Sequence, residues 1–182
     1  MMFPLLAGLM ATVLVDTASA DSVNKAARTV ASRTPRPAAA ALRADSIVVE
    51  KKRRRLTLYL DGKPVKHYGV ALGKNPAGRK LQIGDFRTPE GVYFIEGRLP
   101  QSQYYRALRI SYPDQLDRLR ANSIGLTAGG DIMIHGLPNG RASLGAAHRR
   151  TDWTEGCIAV TNQEIDEIWS AVPDGAPIEI KP

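Results

Sequence analysis

Hydrophobic and polar residues alternate with a period of two along much of the chain from Ser46 onward. Residues 46–50 form a β-branched run, and Leu56, Leu58 and Leu60 alternate with Thr57 and Tyr59. That period puts alternate side chains on one face, so both stretches predict half-buried strands. Asp61-Gly62 is a hairpin signal and residues 65–72 read as the returning strand, which makes a three-stranded meander. Further strands are expected over 91–95, entered through the turn Thr88-Pro89-Glu90-Gly91, and over 104–112, 131–135, 156–160 and 176–180.

Helical spacing occurs twice. Pro113 is placed to open a short helix running to Arg120, with Leu116 and Leu119 expected to face the core. Thr161 and Glu164 have the capping-box spacing, and Ile165, Ile168, Trp169 and Val172 follow at helical intervals until Pro173 and Asp174-Gly175. Seven or eight strands with two helices and no internal repeat predict a mainly β fold, as one domain over residues 46–182.

The first 45 residues follow another pattern. Residues 3–15 are mostly apolar, the length of a signal-peptide core and too short to span a bilayer, and Ala18-Ser19-Ala20 matches a small-residue cleavage site. We therefore expect a signal peptide at 1–20 and a basic linker containing Ala and Pro at 21–45, interrupted by Pro35 and Pro37. The expected location is the periplasm or cell envelope, with no stable membrane insertion once the signal is removed.

Composition narrows the partners. With 43% hydrophobic and 24% charged residues the chain has the makings of a packed core. Its 25 Lys and Arg against 18 Asp and Glu favour an anionic partner. In an exported protein that partner is a wall polymer and not nucleic acid. The run Lys51-Lys52-Arg53-Arg54-Arg55 is expected to be a solvated turn tip.

Cys157 is the only cysteine, so it is either buried filler or a working thiol. Gly156 before it permits a tight turn that bares backbone N–H groups, the donors acyl transfer needs. His135 ends an apolar stretch and precedes Gly136. His148 lies nearer to Cys157 in an Arg-rich loop and is a second candidate base, and His67 is expected at the surface. A general base must be held in hydrogen-bond reach, which favours a strand end over a long loop and so His135 over His148. Pairing with an imidazolium is expected to hold the Cys157 pKa below the free-thiol value. Three scattered histidines and one cysteine show no ligand spacing, and neither a phosphate loop nor a Gly-x-Ser-x-Gly elbow is present, so no metal or other cofactor is expected.

Met133-Ile134-His135-Gly136 followed by Thr154-Glu155-Gly156-Cys157-Ile158 resembles the signature of the L,D-transpeptidase catalytic domain family, the YkuD type. Residues 84–93 resemble its Gly-x-x-x-Thr-Pro-x-Gly-x-Tyr stretch, and Ile110-Ser111-Tyr112-Pro113 a recurring Ile-Ser-Tyr-Pro segment. The resemblance covers residues 46–182. It implies a β sandwich or barrel with one or two short helices and the cysteine at one rim. It also implies that Cys157 attacks a peptidoglycan stem peptide between an L-centre and a D-amino acid, giving a thioester that an amine or water resolves. By the same resemblance His135 is the base, the Gly156–Cys157 backbone is the oxyanion hole, and the Gly136 carbonyl orients the imidazole. Thr154, Glu155 and Arg149 are the expected substrate contacts. The implied partners are stem peptides and, for members that release them, wall-bound lipoproteins; no cofactor is implied. Because some members hydrolyse, the alternative is an L,D-carboxypeptidase, endopeptidase or lipoprotein-detaching amidase. Two positions depart from the pattern: Glu155 where many members have His, and Ala159 where many have Arg. An Arg there suits a substrate carboxylate; Arg141, Arg149 and Arg150 are the candidates to replace it.

Overall fold

A computed structural model describes residues 41–182; the expected signal peptide and all but the end of the expected linker lie outside the described residues. The folded part starts slightly before Ser46, because Ala44 is buried and its N–H bonds the Ala171 carbonyl at 3.0 Å.

The strands are β1 (Ser46–Glu50), β2 (Arg55–Leu60), β3 (Lys63–Gly69), β4 (Gly91–Ser102), β5 (Tyr105–Ile110), β6 (Met133–His135), β7 (Ile158–Ala159) and β8 (Pro177–Lys181). They form one row in the order β3-β2-β1-β8-β4-β5-β6-β7. The first three make the expected antiparallel meander. β4 joins the two halves: Gly91 to Phe94 pair with β8, and from Ile95 onward the strand pairs with β5. The register shifts between Ile95 and Gly97, a bulge of the kind that lets one strand bend across two sheets. The row then closes on itself. Ala71, just past β3, gives its N–H to the Ala159 carbonyl at 3.0 Å and accepts from the Ala159 N–H at 2.8 Å. Cys157 lies two residues before that seam.

Among the described residues three short helical segments accompany the sheet, against one or two expected: α1 (Gln115–Ser123), a 3-10 segment (Ala142–Arg150) kinked at Gly145, and α2 (Asn162–Ala171). The α2 cap forms as its sequence predicts. Thr161 Oγ1 accepts from the Glu164 N–H at 3.3 Å, and the Glu164 carboxylate accepts from the Thr161 N–H at 2.9 Å. Ile165 and Ile168 are fully buried below it.

Two expectations are corrected. The α1 cap is Asp114, not Pro113, and Leu116 and Leu119 are 56% and 57% exposed instead of facing the core. The inward residue is Asp117, whose carboxylate accepts from Tyr93 Oη at 2.9 Å and from the Asp114 N–H at 3.3 Å. A buried hydroxyl needs a partner, and that need sets the rotation of this short helix over its two leucines. The basic run is not simply solvated either. Lys51 is buried and pairs with Glu90 at 2.8 Å, Arg54 grips Asp152, and Arg55 pairs with Glu50. Its counter-charges include two from distant segments, so the pairing has no trace in the local pattern. No helix among the described residues is long and apolar enough to cross a membrane.

Candidate active site

β6 lies between β5 and β7: all three of its residues pair with β5, and Ile134 and His135 pair with β7 as well. His135 is opposite Ala107 of β5 and Ala159 of β7. Extending the parallel β6–β7 register by one residue sets Cys157 beside Met133, on the same face as His135. Both open on one cleft of about 520 Å³, which Lys74, Lys80, Tyr104, Asp131, Trp153 and Glu155 also line.

The imidazole of His135 is buried, and Nδ1 lies 2.7 Å from the Gly136 carbonyl oxygen. A carbonyl only accepts, so Nδ1 bears the proton and Nε2 is left with a lone pair. Tyr104, from the turn between β4 and β5, stacks on the ring at 4.4 Å between centroids, and Trp153 meets it edge-on at 5.8 Å. Gly136 is required here by close approach. A Cβ would stand 2.8 Å from Asn162 Oδ1, the atom that accepts the Leu137 N–H at 2.8 Å.

The turn before β7 is organised by Thr154. Its hydroxyl donates to the Cys157 carbonyl at 2.7 Å and accepts from the Gly156 N–H at 3.2 Å. Gly156 has φ 134°, and a Cβ there would fall 2.7 Å from the Arg87 carbonyl oxygen. The Gly156 N–H is thus engaged within the turn. The Cys157 N–H has no hydrogen-bond partner among the described residues and is the free donor beside the thiol.

Burial sets the resting charges. It pushes the Cys157 thiol up to about 11, with a backbone N–H at Met133 acting against it and the Asp131 charge adding to it. The thiol donates to the Asp131 carbonyl at 3.5 Å. Burial likewise pushes His135 down to about 4, against the Gly136 carbonyl, which favours the charged ring. Both groups are neutral at pH 7. This stands against the expectation of a thiolate held by an imidazolium: burial is the largest cause for each group and disfavours its charged form.

The other candidates fall as follows. Glu155 is exposed at the cleft, and Thr154 is buried in its wall. Arg149, expected at the substrate, forms an ion pair with Glu164 at the start of α2 and does not line the cleft. His148 is buried, not wandering in a loop. Its Nδ1 accepts from the Trp153 indole at 3.4 Å, and it borders a separate cavity. His67 is exposed on β3. Position 159 is fully buried, so Ala159 presents nothing to the cleft. Tyr104, Trp153 and Lys80 were missed. Trp153 adjoins the Thr154 motif and was within reach of sequence reasoning; Tyr104 and Lys80 arrive from distant turns.

A family model, the L,D-transpeptidase catalytic domain (YkuD), matches residues 44–180. YafK of Escherichia coli (strain K12) is 32% identical over 132 residues, 69% of this chain and 46% of that protein. YqjB of Bacillus subtilis (strain 168) is 29% identical over 137 residues, 74% of this chain and 69% of that protein. Both are named as members of the same enzyme class. The chain spans about half the length of YafK. Among solved structures, the helical cell shape determining protein Pgp2 from Campylobacter jejuni is similar at 26% identity and TM-score 0.56, over 74% of this chain and 46% of that one. An L,D-transpeptidase from Mycobacterium smegmatis shares the fold at 15% identity and TM-score 0.51, over 75% of this chain and 58% of that one.

Proposed function

The chain belongs to the L,D-transpeptidase catalytic domain family, and from that premise we propose that it is an exported cysteine acyltransferase acting on peptidoglycan stem peptides. The observation that supports this most is the tautomer of His135. Its Nδ1–H is spent on Gly136, which leaves Nε2 basic in the cleft that holds the Cys157 thiol.

Because the resting pair is neutral, the thiol proton moves to Nε2 as Sγ attacks the carbonyl carbon at the L-centre. The carbonyl π electrons go to oxygen, and the Cys157 N–H donates to that oxyanion. Collapse of the tetrahedral species breaks the C–N bond, and the departing D-amino acid takes the proton from His135. A thioester on Cys157 remains. An acceptor amine then attacks, gives its proton to Nε2, and expels the sulfur, which recovers a proton. Thr154 keeps the turn in shape through both steps, and Tyr104 and Trp153 hold the imidazole plane.

One observation favours a second reading, in which water resolves the thioester and the protein is a hydrolase of the same family. Ala159 is buried where many members carry Arg, so no cation is offered from that position to an acceptor's carboxylate, and water needs none. Product analysis separates the two. Purified muropeptides are incubated with the protein, with and without an amine acceptor. Crosslinked or amine-exchanged products mark transfer, shortened stems alone mark hydrolysis, and unchanged muropeptides would refute both.

A further inference from the structure

Two lysines are buried in the described part of the chain, and they differ in one respect. Lys51 is 2% exposed and Lys80 is 5% exposed. An ammonium has three N–H groups and no acceptor. Lys51 uses all three, on the Gly78 carbonyl at 2.6 Å, the Thr88 carbonyl at 3.0 Å and Glu90 Oε1 at 2.8 Å. It is a completed internal staple. Among the described residues Lys80 uses two, on the Gln82 carbonyl at 3.0 Å and Asp85 Oδ1 at 2.7 Å.

Asp85 is unsuited to take the third. Its carboxylate already accepts the Leu81, Gln82 and Arg87 N–H groups at 2.8, 3.2 and 3.0 Å, which with Lys80 fills its four lone-pair directions. Burial works to raise the Asp85 pKa, but these donors outweigh it and hold the carboxyl below its usual value, so the loop anion is secured. Leaving one N–H of a buried ammonium unmatched is costly unless something else takes it. Lys80 lines the cleft that holds Cys157. Its charge favours the thiolate, against the burial that pushes the thiol up.

We propose that the third N–H of Lys80 binds a free carboxylate of the peptide in the cleft and makes Lys80 a specificity-determining residue. This rests on the proposed function for its substrate class. It also accounts for recognition in a chain where position 159 is a buried alanine and Arg149 is tied to Glu164. The carboxylate belongs either to the peptide's C-terminus or to a side chain next to the scissile amide, and both present the same anion to the ammonium.

The test measures binding apart from turnover, in the full chain carrying Cys157→Ala. Affinities are determined for one stem-type peptide with all carboxylates free, one amidated at the C-terminus and one amidated on the side chain. A hydrogen bond to a charged group supports a loss of about tenfold to a hundredfold for one of the amidated peptides, and which one identifies the source. With Lys80→Met added, that discrimination should disappear, while Lys80→Arg should keep most of it. Lys51→Met serves as the structural control; it should lower the melting temperature and leave the discrimination intact. Discrimination that persists in Lys80→Met overturns the proposal, as does failure of every peptide to bind the Cys157→Ala protein. Peptides that bind with the expected selectivity but never acylate the wild-type protein would instead overturn the proposed function.

Discussion

His135 is buried and neutral, and this has a measurable consequence for stability. Burial holds its pKa down at about 4 in the folded protein, whereas in the unfolded chain it returns to the ordinary histidine value of 6.5. Between those values the unfolded state binds more protons than the folded one, so stability rises with pH across that window and falls as the solution is acidified through it. At about 1.4 kcal/mol per pKa unit, His135 alone should remove about 3 kcal/mol between pH 7 and pH 4, a large share of an ordinary domain's stability. The assay is urea unfolding at half-unit pH steps on the wild type and on His135→Gln, which cannot titrate. Carboxylates titrating at low pH affect both proteins alike, so the difference between the two curves isolates the histidine. The difference should grow from about pH 6.5 downward and level off near pH 4. Parallel curves would refute the reasoning, because the imidazole would then protonate as easily folded as unfolded and would not be the neutral base the mechanism uses.

Further outcomes follow from the same geometry. His135→Ala should slow acylation of Cys157 by about 10²–10⁴-fold, and His148→Ala, whose ring faces another cavity, by less than about tenfold; stopped-flow acylation on both variants decides between the two histidines. Ultraviolet titration of the resting protein should show no thiolate from Cys157 at neutral pH, since burial pushes the thiol up to about 11; a thiolate step below about pH 8 would contradict this. Gly136→Ala should destabilise the protein by about 1–3 kcal/mol by overpacking against Asn162, read by thermal unfolding. Arg149→Ala should lower stability through the loss of its Glu164 pair and leave peptide affinity nearly unchanged; a large rise in KM would return Arg149 to the substrate.

The parts of the fold written in short-range pattern were legible. The meander of β1 to β3 follows from period-two alternation and Asp61-Gly62, and α2 from its capping box, because strands, turns and caps are decided by residues within a few positions of one another. The meeting of Cys157 and His135 in one cleft was anticipated from the strand-end position of His135 and the Gly156-Cys157 turn, and more specifically from motif resemblance. What stayed hidden depends on partners far along the chain. Nothing near Leu116 and Leu119 announces that Tyr93 needs Asp117 beneath it, and nothing near Lys51 announces Glu90. Tyr104 reaches His135 only because the β4–β5 turn folds over β6. The charge state of the pair is hidden for a similar reason. It depends on how much water the surrounding elements exclude, which no local pattern encodes.

The most direct test of the central claim is intact-protein mass spectrometry of the full chain after brief incubation with a purified tetrapeptide muropeptide. If Cys157 is an acyl-transfer nucleophile, one adduct should appear, adding to the protein the mass of the donor less the released D-amino acid, which carries away the sulfur's proton. It should map to Cys157, disappear in Cys157→Ala, and chase away on adding an amine acceptor or on standing in water. An adduct of equal yield in Cys157→Ala, or a wild-type protein that stays unmodified while the muropeptide is consumed, would contradict the account.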